Sequence, residues 1–495
     1  MVIEKGIVMA HRLIVLCISI LVIGCTGTRE AARLNSLSVS SSPALKARVD
    51  ALVADTLFPP CNVGIKIVSL SRNETLYALN EHMLFNPASN QKLFTTAAAL
   101  STLGVDASFP TVVSADTTRN LIVIAGFGDP LLSTADLDSL ARLCAPALLP
   151  GRSWDLGVDV RYFDDLHWGA GWTWDEEPAA YGMFITPLIL NNNTVTVRVL
   201  PSAIPGMPPT VSIDPPTGYV SLENTAVTVA DSAVADSGRV PLKISRLWRE
   251  RLNTITVTGQ IRTSSRERVE HLSVWRPELY AGTVFAEKLR AQGVQINTVR
   301  LDSASTTPAM TLQFAHAIDT VLTFLNKASD NLSAESVLKS IAATKRGQPG
   351  SAREGIMIVN TYLAANGIDT NRIAIADGSG LSRYNLTSPA TVVALLTAMY
   401  RDSVNFPVFF HTLPVAGVDG TIDSRMKRTP AEGNLRAKTG TLSAVTALSG
   451  YVKSADGEML AFSILMQNYP ASSRSYRAVQ DAIGALLAGL KRETL

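Results

Sequence analysis

The chain has 495 residues, 46% hydrophobic and 17% charged, which excludes a disordered polypeptide and allows two or three domains with substantial cores. Its 44 Lys and Arg against 42 Asp and Glu leave a formal charge of +2. No long basic or acidic block stands out, so nothing points to nucleic acid as a partner.

At the N-terminus, Lys5, His11 and Arg12 precede the apolar run from Leu13 to Gly24. Its 12 residues, if helical, cover far less than the ~30 Å of a bilayer's hydrocarbon core, so the run reads as an export signal rather than a membrane span. It ends in Val22-Ile23-Gly24-Cys25, which resembles the bacterial lipoprotein cleavage box. That resemblance implies cleavage before Cys25 and lipid on its thiol and amine, with residues 1–24 as signal and 25–42 as a Ser/Thr/Ala-rich tether. Met9 is an alternative start with the same signal ending. Cys17 leaves with the signal; for Cys61 and Cys144 a disulfide and two free thiols are both open. The six histidines include no close pair of zinc-site spacing.

A helix is expected near Pro43–Leu57, then strands at Val63–Leu70 and Thr75–Leu79 around a turn at Ser71-Arg72-Asn73. The stretch Asn86-Pro87-Ala88-Ser89-Asn90-Gln91-Lys92 follows and opens an alanine-rich helix through Leu100. Pro87 suits a first helical turn, where its missing N–H has no partner in any case. Ser89 then lies in that turn with Lys92 at i+3 on the same face. If the site desolvates Lys92, its amine can lose its proton and act as a base toward Ser89. Ser-x-x-Lys alone is a weak signal, because it recurs at Ser336…Lys339 and Ser424…Lys427.

Between about residues 112 and 309 the character changes. A buried strand at Leu121–Ala125 leads through Gly126-Phe127-Gly128-Asp129-Pro130 to a helix near Ala135–Leu143. His167–Trp174 holds three tryptophans in a loop that packs on a core or contacts substrate. Val/Thr-rich strands over about 194–268 indicate a small β domain, and a helix near Tyr280–Gln292 closes the region. From about Thr311 the pattern is α/β again, with helices near Leu322–Lys327, Ser351–Asn366, Pro389–Arg401 and Ser473–Lys491, and strands near Leu435–Leu442 and Met459–Tyr469.

Three motifs occur in one order: Ser89-x-x-Lys92, Ser329-Asp330-Asn331 and Lys438-Thr439-Gly440. This set resembles that of class A β-lactamases and penicillin-binding proteins, and only the first Ser-x-x-Lys precedes both other motifs. Each part has chemical sense. Ser329 can relay a proton between Lys92 and a leaving amine. Asn331 can bond a substrate amide and Lys92. Lys438 can hold a carboxylate and depress the pKa of Lys92, and Thr439 offers that carboxylate a hydroxyl. Gly440 leaves room for substrate against the strand, and the N–H groups of Ser89 and Thr441 would form an oxyanion hole.

The likeness extends to Gly126–Pro130, Asp377–Ser382 and Leu413–Thr421. From about Pro43 to the C-terminus the chain resembles the class C low-molecular-mass penicillin-binding proteins, the D-Ala-D-Ala carboxypeptidase/endopeptidase family. That resemblance implies an α/β (α+β) fold of the β-lactamase/transpeptidase type: an antiparallel sheet with helices on both faces, interrupted by inserted mostly-β domains. The catalytic domain would comprise 43–111 and 310–495, with inserted domains at 112–309. The implied protein is a periplasm-facing, lipid-anchored serine DD-peptidase acting on peptidoglycan stem peptides and inhibited by β-lactams. It needs neither cofactor nor metal. No deacylating glutamate of the class A kind is evident, since Glu335 adjoins the second motif and Glu354 has no matching asparagine. A β-lactamase-type hydrolase and a non-catalytic envelope-binding lipoprotein are the alternatives.

Overall fold

A computed structural model describes residues 38–39, 43–54, 59–148, 151–231, 240–303, 308–470 and 472–494, and Val39–Leu495 forms one compact unit. The signal, most of the tether and Cys25 lie outside the described residues.

The sheet that carries Lys438-Thr439-Gly440 is antiparallel, its long strands running in the order Glu74–Leu79, Asn62–Ser69, Met459–Gln467, Val445–Lys453, Arg436–Leu442. Successive side chains of a strand face opposite ways, and here both faces are covered. Ile65, Ile67, Phe462 and Ile464 pack with Leu45 and Val49 of helix Pro43–Val53 and with Tyr476, Ile483 and Leu487 of helix Arg474–Ala488. On the opposite face Ala447 and Leu465 pack with Phe85. Gly64 allows that contact, because a Cβ there would lie 2.4 Å from the Phe85 ring. The strand Val445–Lys453 was not read from the sequence: its Thr, Ala, Ser and Gly lack an alternating apolar signal, yet eight of its nine residues are buried.

A second, five-stranded sheet has the order Gln295–Leu301, Ser153–Asp159, Leu121–Gly126, Ser108–Asp116, Met310–Ala317. The first three strands are parallel neighbours and the last pairings are antiparallel. Helices Thr134–Cys144 and Pro277–Ala291 contribute Leu137, Leu140, Tyr280, Val284 and Phe285 to its core. Smaller sheets occupy the stretch between, the longest strand among them being Thr194–Leu200. The strands on which the chain leaves and returns are partners, with Ser108 opposite Ala317. The long excursion therefore closes where it opened, and Ala317 feeds straight into helix Ile318–Lys327, which delivers Ser329. Cys61 and Cys144 are free thiols, Cys144 being buried in the second core.

Candidate active site

The turn that carries Ser89 is built before its helix. Pro87 precedes a short 3-10 turn, Ala88–Asn90, and the α-helix proper runs Gln91–Leu103. Ala88 has φ +44°, a conformation that an L residue holds only when its surroundings enforce it. The enforcement is visible: Asn86 Oδ1 accepts from Ala88 N at 2.8 Å, and Asn86 Nδ2 donates to the carbonyls of Ser382 and Asn385. Asn90 Nδ2 donates to the Lys438 carbonyl at 3.1 Å, pinning the turn to the edge strand.

Two glycines let neighbouring backbone approach. A Cβ on Gly380, at φ +84°, would lie 1.8 Å from the Ala88 carbonyl oxygen. One on Gly440 would lie 2.7 Å from the Pro87 oxygen and 3.1 Å from Ser89 N, so the space opened by Gly440 is taken by the Ser89 turn rather than left for substrate.

Lys92 is fully buried and its Nζ makes three bonds: to Ser89 Oγ at 3.0 Å, to Asn331 Oδ1 at 2.7 Å and to the Ser379 carbonyl at 2.7 Å. Burial pulls its pKa down from 10.5 to about 8, although the carboxylates of Asp330, Asp377 and Glu335 oppose the shift. Desolvation, the cause anticipated from the sequence, thus lowers this amine without the added depression expected from Lys438. Lys438 is itself buried and pushed well below the ordinary lysine value, first by desolvation and then by the charge of Lys92. Its Nζ donates to Ser329 Oγ at 2.8 Å and to the Thr439 carbonyl at 2.9 Å, so the resting partner of Ser329 is Lys438 rather than Lys92.

Ser329, half-buried, sits at φ +60° just before the helix Asn331–Arg346. Asp330 is the N-cap of that helix, accepting from Ser333 N at 2.6 Å, and it also takes a bond from Asn192 Nδ2. This cap fixes the two residues flanking it. Asn331 points Oδ1 at Lys92 and donates from Nδ2 to the Tyr181 carbonyl at 2.9 Å.

Thr439 Oγ1 donates to Thr421 Oγ1 at 2.7 Å. Thr441 lies opposite Thr446 near the end of the edge strand. Ala437 on the same strand sends its N–H outward, to the Pro414 carbonyl at 3.0 Å. Backbone direction alternates with period two, so the N–H of Thr441, four residues on, faces the same open edge.

The other two Ser-x-x-Lys matches are thereby separated from the first. Ser336 Oγ donates to the Gly128 carbonyl and the buried Lys339 pairs with Asp164, so that match joins the helix Asn331–Arg346 to the 128 and 164 loops. Ser424 and Lys427 are exposed.

Sequence reasoning quoted Asp377–Ser382 without giving it a role. In the structure it is the cradle of the site. Asp377 accepts from Gly380 N, Ser382 N, Asn385 Nδ2 and Trp172 Nε1, holding the turn whose Ser379 carbonyl meets Lys92. Glu335 accepts from Gly378 N and Ser379 N, and burial with the nearby Asp377 raises its pKa to about 7. Its carboxylate is engaged by backbone in the turn. Of the predicted site residues, the structure brings together Ser89, Lys92, Ser329, Asn331, Lys438, Thr439 and Gly440, with Thr441 three residues along the strand from Lys438.

Comparison with known proteins gives one consistent picture. Residues 45–490 match the model of the D-Ala-D-Ala carboxypeptidase 3 (S13) family. A D-alanyl-D-alanine carboxypeptidase of Actinomadura sp. (strain R39) is 34% identical over 467 residues, covering 90% of this chain and 84% of the relative. The D-alanyl-D-alanine carboxypeptidase DacB of Haemophilus influenzae is 27% identical over 418 residues, 82% of this chain and 86% of the relative. The crystal structure of penicillin binding protein 4 from H. influenzae superposes with a TM-score of 0.76 at 25% identity, covering 89% of this chain and 98% of that one. The same protein complexed with a β-lactam superposes at 0.71 and 23% identity, with the same coverage.

Proposed function

The chain belongs to the D-Ala-D-Ala carboxypeptidase 3 (S13) family, and from that membership we propose how this serine D-Ala-D-Ala carboxypeptidase carries out its reaction. Neutral Lys92 takes the proton of Ser89, whose Oγ attacks the carbonyl carbon of the penultimate D-Ala of a peptidoglycan stem. The N–H groups of Ser89 and Thr441 receive the developing oxyanion. Ser329 passes the proton from Lys92 to the leaving nitrogen, the C–N bond breaks, and D-alanine departs from an acyl-enzyme. Water then attacks the ester and restores Ser89.

Lys438 and Thr439 hold the terminal carboxylate. That carboxylate supplies the counter-charge that keeps Lys438 protonated against its burial. Asn331 orients Lys92 and offers its amide to the peptide on the acyl side. The observation that carries this reading is the fully buried Lys92 amine, 3.0 Å from the Ser89 hydroxyl.

Incubation with a fluorescent penicillin, followed by peptide mapping, is expected to place one slowly decaying adduct on Ser89. Slow decay fits Glu335, whose carboxylate is taken up by the backbone N–H groups of Gly378 and Ser379. Rapid loss of label with drug turnover would transfer the assignment to a β-lactamase. Absence of label on a folded protein would favour the envelope-binding lipoprotein.

The family acts on the cell wall. We further propose that the chain is tethered to a membrane of the envelope by lipid on Cys25, on the strength of Val22-Ile23-Gly24-Cys25. No helix among the described residues is long and apolar enough to cross a membrane. Cys25→Ser is expected to move the protein from the detergent phase to the aqueous phase in phase partition. Unchanged partition would remove the anchor.

A further inference from the structure

Five of the six tryptophans in the chain meet at one place. Trp168, Trp172 and Trp174 come from the loop after His167. Trp248 comes from the turn after strand Lys243–Arg246, and Trp275 from the approach to helix Pro277–Ala291. Together they line a hollow of about 330 Å³. That is the small end of the ~300–1,000 Å³ range of ligand sites, with room for one ring rather than a chain. Trp154, the sixth, is a core residue at 1% exposure, whereas Trp174 is 73% exposed. Core packing accounts for the first and not for the second, since a large ring left in water gains nothing from burial.

The back wall of the hollow is fixed. Trp172 Nε1 donates to Asp377 Oδ2 at 2.9 Å. Trp168 and Trp275 stand edge-on to the buried Phe184 ring, with centres 5.3 and 5.1 Å away. Gly169 lets the loop fold over Trp172, because a Cβ there would lie 2.3 Å from its Nε1. In front, the ring centres of Trp174 and Trp248 are 5.7 Å apart.

The lining selects among guests. Arg249 sits over the Trp248 ring at 4.9 Å and Arg251 over Trp275 at 5.0 Å, so these rings already carry cations and a cationic guest would be repelled. Glu177, paired with the buried Arg246 at 3.0 Å, adds a carboxylate that makes the hollow too polar for a lipid tail. What suits is a guest with C–H faces for the indoles and oxygens for the guanidiniums. A sugar ring has both. Its axial C–H groups rest on the negative face of an indole, and its hydroxyl and acetamide oxygens accept from Arg.

The hollow also lies on the side of the reaction from which such a ring would come. Gly182 lines it and follows Tyr181, whose carbonyl takes the Asn331 amide on the acyl side. A stem held at Ser89 runs from the acyl carbon back toward the sugar that bears it. We propose that the tryptophan hollow holds an amino-sugar ring of the glycan strand, so that the enzyme reads saccharide as well as stem. The inference rests on the Ser89 reading given above for which end of the stem lies where.

The test uses the full-length enzyme with a free pentapeptide stem, the same stem carried on a disaccharide of N-acetylglucosamine and N-acetylmuramic acid, and penicillin. Wild type is expected to release D-alanine from the disaccharide-borne stem with kcat/KM about tenfold higher, the gain lying in KM. Trp174→Ala should cancel that gain while D-alanine release from the free stem and penicillin acylation stay within about twofold of wild type. Trp174→Tyr, which keeps an aromatic face, should retain most of it. In calorimetry a stem-free oligomer of N-acetylglucosamine should bind Trp174→Ala about tenfold more weakly than wild type. Equal rates on the two stems would overturn the proposal, as would a gain untouched by Trp174→Ala, a parallel fall of all three rates, or oligomer binding indifferent to the substitution. A wild type that penicillin does not acylate would instead overturn the Ser89 reading, and oligomer binding would still judge the hollow.

Discussion

Ser89→Ala is expected to form no covalent adduct with penicillin and to release D-alanine more slowly by on the order of 10⁶, the loss seen when a serine hydrolase is stripped of its nucleophile. The size of that loss follows from what is left behind. Lys92, Ser329 and Lys438 can still orient and move protons, but no atom of the alanine can join the acyl carbon. The fold should survive. Ser89 Oγ makes one described hydrogen bond to the site, from Lys92 Nζ at 3.0 Å, and that amine keeps Asn331 and the Ser379 carbonyl. A net cost of about 1 kcal/mol is therefore expected, a small shift in Tm for a chain of this size. Reversible binding of a penicillin should persist and can be followed by calorimetry or ligand-induced thermal shift. Near-wild-type acylation of the variant would remove Ser89 from the mechanism, and a collapsed melting transition would mean that the turn itself had been lost.

How far the sequence carried this reading differs from element to element. The edge strand Arg436–Leu442 and the helix after Ser89 were legible because each carries a motif and the order of the motifs along the chain is fixed. The neighbouring strand Val445–Lys453 was not. Two covered faces remove the alternation that marks a half-buried strand, and its small residues answer to close packing rather than to hydrophobicity.

The cradle of the site was hidden for a different reason. Asp377, Asn385 and Glu335 act through backbone N–H groups brought together from separate segments, and no spacing in one stretch announces such partners. The glycine at position 380 was visible as a letter, but its cause is the Ala88 carbonyl nearly three hundred residues earlier. The roles of the two lysines were legible in kind, and desolvation of Lys92 was foreseen; the added charge effect of Lys438 on Lys92 was not found. In the packed site burial acts on each amine first, and the charge of Lys92 acts on Lys438.

Burial as the cause makes a sharp prediction for Lys92→Met, a replacement of similar shape with no base. Penicillin acylation is expected to fall by about 10²–10⁴. The pH dependence should change with it. In wild type the amine's pKa is lowered to about 8, so the neutral base gains about tenfold per pH unit up to that point and saturates above it. In Lys92→Met the residual rate should be flat from pH 6 to 9.

Stability supplies a second readout with its own sign. The unfolded lysine holds its proton up to about 10.5 and the folded one releases it near 8, so the unfolded state binds more protons between those values and stability rises with pH across that window. Lys92→Met lacks this rise. Any gain in stability it shows over wild type should be largest at or below pH 8 and shrink toward pH 10.5. If instead the variant keeps the wild-type acylation limb, the titrating base is another group. Lys438, equally buried and bonded to Ser329, would then be the amine to replace next.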